Sequence, residues 1–119
     1  MTPLKIYVAG PLTDAGTATE EKQHEYARNA IEAGIQLMQK GHFPYVPHLS
    51  LAFDKQARNQ GIEFSWQQWM AKENAYLECC DAVLYIGSSI GADIELKKAE
   101  QRGIPVYTSV EQIGRCNHA

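Results

Sequence analysis

The chain has 119 residues, a formal net charge of −3, and a composition that is 45% apolar and 21% charged. That length holds one domain with a real core and leaves no room for a second. Its Lys and Arg residues are scattered, which argues against binding a nucleic-acid polymer, and no apolar run approaches the ~20 residues that cross a bilayer.

In chain order, Lys5-Ile-Tyr-Val-Ala9 reads as a first strand, ended by Gly10-Pro11. A polar loop follows over 12–19, where Thr17-Ala-Thr-Glu20 matches a capping box and Thr19 is the alternative cap. The helix that follows runs to about Lys40. Tyr26, Ala27, Ala30, Ile31, Leu37 and Met38 recur at helical spacing, with Gly41 as the stop. His42–Val46 is a short second strand, and Pro44 places it at an edge or makes it irregular. Residues 47–62 are the least readable part, holding Pro47-His48-Leu49 and a polar stretch around Lys55 to Gly61. Ser65-Trp-Gln-Gln68 is a second capping box, and its helix runs to about Cys79 with Trp69, Tyr76 and Leu77 inward and Ala75 beside them. The apolar run Ala82–Ile86 reads as a buried parallel strand, followed by a loop of Gly87, Ser88, Ser89 and Gly91. A helix from near Ala92 to Arg102 ends at Gly103. Ile104–Thr108 makes a fourth strand, and Ser109-Val-Glu-Gln112 opens a short last helix.

Strands alternating with helices imply an α/β fold: one parallel sheet of four to five strands, helices on both faces, in a flavodoxin-like or Rossmann-like order. Three cysteines, with Cys79 and Cys80 adjacent, fit no zinc or disulfide spacing. With no signal peptide, they point to reduced thiols and a cytoplasmic location, and Cys79 and Cys80 read as small core residues. No metal cluster is visible, so no metal or other cofactor is expected.

The first βα turn, Ala-Gly-Pro, lacks the Gly-x-Gly-x-x-Gly fingerprint, and the chain has no Gly-x-x-x-x-Gly-Lys loop. NAD and ATP sites of those kinds are therefore not expected. The Gly87–Gly91 loop is the stronger candidate. It leaves a parallel strand at its carboxyl end and enters a helix N-terminus, where open α/β sheets bind ligands and free N–H groups suit an anion. Ser88 and Ser89 either cap that helix or bond a phosphate. Glu95, read as lying in the first helical turn, is either a helix-stabilising charge or a nucleophile aimed at a ligand. Asp93, nearer the start, suits the stabilising role better. Glu73 sits on a solvated helix face or near the same strand end, and His48 is a turn residue or lines the crevice. Gly10 makes a tight turn or admits a close ligand, and Tyr7 reads as a buried mid-strand aromatic. Two carboxylates at one crevice suggest glycosidic chemistry.

These pieces together resemble the nucleoside 2-deoxyribosyltransferase-like superfamily, close to its 2′-deoxynucleoside 5′-phosphate N-hydrolases and its small phage and bacterial members. The matching segments are Lys5-Ile-Tyr-Val-Ala-Gly-Pro11, Tyr45-Val-Pro-His-Leu49, Trp69 with Leu77 and Cys80-Asp81, Gly91-Ala-Asp-Ile-Glu95 and Gly103-Ile-Pro-Val106. The resemblance implies that Glu95 is the nucleophile, that Tyr7 lies beside it, that Ser89 contacts a 5′-phosphate and that Gly10 approaches sugar or phosphate. The family usually has Asp eight residues before the Asp that begins the third strand; this chain has Glu73 there. Pro11, His48, Asn74, Ser88 and Gly91 complete the expected substrate contacts, Asn74 as a further hydrogen-bonding group. The expected activity is cleavage or transfer at the N-glycosidic bond of a 2′-deoxynucleoside or its 5′-monophosphate. The alternative is a non-catalytic nucleotide-binding module of the same fold. The resemblance also implies a homo-oligomer, for which Phe64, Trp66 and Trp69 offer an apolar contact surface or else core packing.

Overall fold

Strand β1 (Lys5–Ala9) alternates its side chains across the sheet, and that alternation organises everything around it. The computed structural model describes residues 1–14 and 16–116. Ile6 and Val8 face one side, where they join Ala30, Ala33 and Leu37 of helix α1 (Glu20–Gln39). Tyr7 and Ala9 face the other side, with Leu77 of helix α3 (Trp66–Leu77) and Ala92 and Ala99 of helix α4 (Ile90–Arg102). Each face of the sheet thus has its own apolar core.

The remaining strands are β2 (Phe43–Tyr45), β3 (Ala82–Tyr85) and β4 (Val106–Tyr107). All pairings are parallel and the sheet order is β2-β1-β3-β4. The chain moves outward from β1 to β2, then crosses back to β3. The strand order therefore reverses between β1 and β3, and the two strand ends open a crevice there. This is the α/β architecture that the sequence predicts, in its four-strand form. Among the described residues no helix is long and apolar enough to cross a membrane.

Local chemistry sets the element ends. Thr19, not Thr17, caps α1, its hydroxyl accepting from the Lys22 N–H. Ser65 and Gln68 form the reciprocal capping box of α3. Gly103 ends α4 at φ +71°, a conformation that favours glycine. Pro44 lies in the edge strand β2. Phe43 N–H bonds inward to the Leu4 carbonyl, so the ring nitrogen of Pro44, one residue on, faces outward.

Several expectations need correction. The segment 47–62 contains a 3₁₀ turn (Pro47–Leu49) and helix α2 (Ser50–Asn59). Helix α2 enters directly from the 3₁₀ turn with no side-chain cap, so no start signal marks it. Helix α4 starts at Ile90 rather than near Ala92, which puts Glu95 in its second turn. Met38, Ala75 and Tyr76 are exposed rather than inward-facing, and of the paired cysteines Cys80 is buried while Cys79 is exposed. The last short helix is a single 3₁₀ turn, Val110–Gln112.

Leu37 is fully buried between α1 and the sheet. Leu37→Ala is expected to destabilise the fold by about 2–5 kcal/mol through lost burial and a residual cavity. Urea denaturation of wild type and variant measures this as a lower midpoint at unchanged slope.

Candidate active site

The helix faces bring two carboxylates under the sheet crevice. On α4, Ala92, Glu95 and Ala99 share the buried face at i, i+3 and i+7. On α3, Glu73 and Leu77 share the buried face at i and i+4. Both helices pack on the side of the sheet that Tyr7 enters. Glu73 and Glu95 are each only 7% exposed, a burial that carboxylates seldom adopt without partners.

Tyr7 is their common partner. Its hydroxyl donates to Glu95 Oε2 and lies 3.5 Å from Glu73 Oε2. The hydroxyl has one proton to give, and the closer carboxylate takes it. Burial pushes the Glu95 carboxyl up to about 7; Glu73 adds to the rise, while the Tyr7 hydroxyl and Lys98 oppose it. Burial also pushes Tyr7 far above its usual value, with the two carboxylates adding to the effect. Tyr7 is therefore a neutral donor at any working pH.

Glu73 has a second neighbour. Lys72 Nζ donates to Glu73 Oε1 at 3.0 Å and to the Tyr45 hydroxyl at 2.9 Å. Tyr45 stacks on Tyr7 at 5.5 Å between centroids and on Tyr76 at 4.7 Å.

A cavity of about 920 Å³ opens over these groups. Glu73, Glu95, His48, Gly10, Ser89 and Gly91 lie on its wall. Phe64, Trp66 and Trp69 line its apolar side. Phe53, Phe64 and Trp69 pack edge to face or tilted at 5.9–6.3 Å, so Phe64 and Trp69 are held in a fixed aromatic cluster. A flat aromatic group fits such a wall. Gly10 allows the β1 end to close: a Cβ there would sit 2.6 Å from Ile86 Cγ1.

The loop after β3 is built as a helix entry. Ser89 Oγ accepts from the Ala92 N–H and caps α4. Ser88 Oγ and the Tyr85 hydroxyl both donate to Asp93, holding its carboxyl below the usual range. Asp93 thus takes the first-turn role, and Glu95 is left free of it. His48 lies in the 3₁₀ turn Pro47–Leu49, buried, and also lines the cavity. Burial pushes it below its usual value, and the neutral ring donates from Nε2 to the Pro11 carbonyl at 3.1 Å.

Three expected contacts fall outside the cavity wall. Asn74 donates to Glu78 Oε1 at 3.1 Å on a separate groove with Leu77 and Arg102, because it is one step round the helix from Glu73. Ser88 is turned to Asp93. Pro11 acts through its carbonyl on His48. Lys72 and Tyr45 are site residues that sequence reasoning misses. The available signal was Tyr45, paired in register with Tyr7 on neighbouring parallel strands. Among the described residues, no group of three or more His, Cys, Asp or Glu side chains is placed to hold a metal ion.

Glu95 ionises in the folded protein near pH 7, against an ordinary value of 4.5. The folded state therefore holds a proton that the unfolded chain releases between those values, and stability falls as pH rises from about 4.5 to 7. Glu95→Gln removes that dependence. Its stability relative to wild type is expected to rise by about 3 kcal/mol across the window, read by denaturant unfolding at several pH values. Tyr7→Phe removes a hydrogen bond that favours the anion, so the Glu95 midpoint, followed by carboxyl ¹³C NMR, is expected to move upward.

No curated protein matches the chain. Residues 4–109 match the family model described as "Domain of unknown function (DUF7768)". That match runs from the first strand through the last and takes in Tyr7, Glu73 and Glu95, so the chain belongs to the DUF7768 family.

Proposed function

We propose that the protein cleaves or transfers at the N-glycosidic bond of a 2′-deoxynucleoside or its 5′-monophosphate, with Glu95 as the nucleophile. The observation that carries this reading is the buried Tyr7 hydroxyl joined to Glu95 and facing Glu73 under an aromatic-walled cavity. The resemblance to the nucleoside 2-deoxyribosyltransferase-like superfamily supports it. So does the energetic cost of the arrangement, since like charges are buried together mainly where chemistry needs them.

Ionised Glu95 attacks C1′ as the base departs, forming a glycosyl-enzyme ester. The transition state is oxocarbenium-like, and the adjacent carboxylates stabilise it electrostatically. Tyr7 donates to Glu95 Oε2 and so fixes the direction of the carboxylate. Glu73, ion-paired with Lys72, orients Glu95 through Tyr7, and the departing base takes its proton from solvent. Water then resolves the ester to give hydrolysis, or a second base resolves it to give transfer. Phe64, Trp66 and Trp69 would stack against the base. The free N–H groups at the start of α4, beside Ser89 and Gly91, would receive a 5′-phosphate. Self-association to a dimer or higher oligomer, in the cytoplasm, belongs to the same reading.

Chromatographic detection of free base tests it, using the four 2′-deoxynucleosides and their 5′-monophosphates with and without an acceptor base. Wild type is expected to release base, and Glu95→Ala to lose about 1,000-fold or more in rate. Equal release by the variant, or none by wild type on any substrate, overturns the reading; nucleotide binding without turnover would make the protein a binding module. The rate is further expected to climb tenfold per pH unit below about pH 7 and to level above it, as Glu95 loses its proton. A flat profile down to pH 5 in folded protein rules out Glu95 as nucleophile.

A further inference from the structure

The chain carries Glu73 where the family it resembles usually has Asp. A glutamate has one more rotatable bond than an aspartate, and each added rotor costs ordering entropy. Something must hold the longer side chain if its carboxylate is to face Tyr7. The only cation within ion-pair distance of Glu73 among the described residues is its sequence neighbour, Lys72.

Lys72 is itself held in place. Its ammonium donates to Glu73 Oε1 and to the Tyr45 hydroxyl, and lies 5.6 and 5.4 Å from the ring centroids of Tyr45 and Tyr76. Those rings stack on each other, and Tyr45 stacks on Tyr7. Contact at Oε1 leaves Oε2 as the oxygen toward Tyr7, at 3.5 Å. Adjacent helix residues do not ordinarily face each other. Here the ammonium, placed near the Tyr45 and Tyr76 rings, nonetheless reaches the neighbouring carboxylate.

We propose that Lys72 is a positioning residue of this site: braced by Tyr45 and Tyr76, it seats the Glu73 carboxylate against Tyr7 and thereby keeps a negative charge beside Glu95. Its catalytic meaning rests on the glycosidic reading, whereas the seating itself is a property of the substrate-free protein. Glu95 faces Tyr7 from β1, Glu73 from α3 and Lys98 from its own helix; Glu73 faces Tyr7, Tyr45 and Lys72. Loss of Lys72 has two opposed effects on Glu95. Removing a cation disfavours the anion, while release of Glu73 removes a like charge and favours it. Coulomb energy falls with distance. Glu73 shares a hydroxyl with Glu95, whereas Lys72 lies beyond Glu73, so the second effect wins.

The experiment is a carboxyl ¹³C NMR titration of Glu95 in substrate-free wild type, Lys72→Met, Lys72→Arg, Glu73→Gln and the Lys72→Met/Glu73→Gln double variant. Lys72 is partly exposed, with 40% of its side chain accessible, so its replacements leave the core intact. Lys72→Met is expected to lower the Glu95 midpoint by about half a pH unit or more, in the same direction as Glu73→Gln. The double variant is expected to match Glu73→Gln alone, because Lys72 acts through Glu73. Lys72→Arg is expected to restore most of the wild-type midpoint. A higher midpoint in Lys72→Met, an unchanged one, or a shift that adds to that of Glu73→Gln overturns the proposal. Failure of wild type to release base sinks the glycosidic reading and leaves this titration to decide the seating independently.

Discussion

A single phenolic proton lies between two buried carboxylates, and the site is arranged around that shortage. Tyr7 can satisfy one partner, and it satisfies Glu95. Glu73 must find its stabilisation elsewhere, and it does so at Lys72. The result is an uneven pair. One carboxylate carries an external cation, and the other is left in a poorly solvated place where its proton comes off near neutrality. Equal treatment of both would have given two ordinary ion pairs with no residue poised to change charge.

The backbone makes this asymmetry possible. Because β1 lies between β2 and β3, its residues are covered by helices on both faces, and Tyr7 reaches the α3 and α4 side without touching solvent. The reversal of strand order beside it opens the crevice above. Small residues keep the approach open: Ala92 and Ala99 bring α4 close to the sheet, so that Glu95, on the same face, reaches a strand residue directly. Larger side chains there would lift the helix and break the bond to Tyr7.

Much of this was legible in the chain. The apolar runs of β1 and β3, the caps at Thr19, Ser65 and Ser89, and the stop at Gly103 each have a local chemical signature, and the alternation of strands with helices implied the parallel sheet. Helix α2 was not legible, because it enters from a 3₁₀ turn at Leu49 with no side-chain cap to announce its start. Glu95 was found through its loop, but its orientation had a plainer signal in the Ala92–Glu95–Ala99 spacing. Glu73 stands four residues before Leu77, which already assigns it to the inner face. Asn74, by adjacency alone, looked equivalent and is not, since one residue is about 100° of helix. Lys72 was out of reach, because its role depends on where its ammonium ends up between two rings brought in from β2 and α3.

The proline of the edge strand has a consequence for how the sheet could be extended. Strand β2 is three residues long, and the one that faces away from β1 has no N–H to offer. At the opposite border β4 has only two residues. Both borders are short, and a short edge offers few donors and acceptors to template a foreign strand. Short borders of this kind leave little backbone along which the four-strand sheet could be extended.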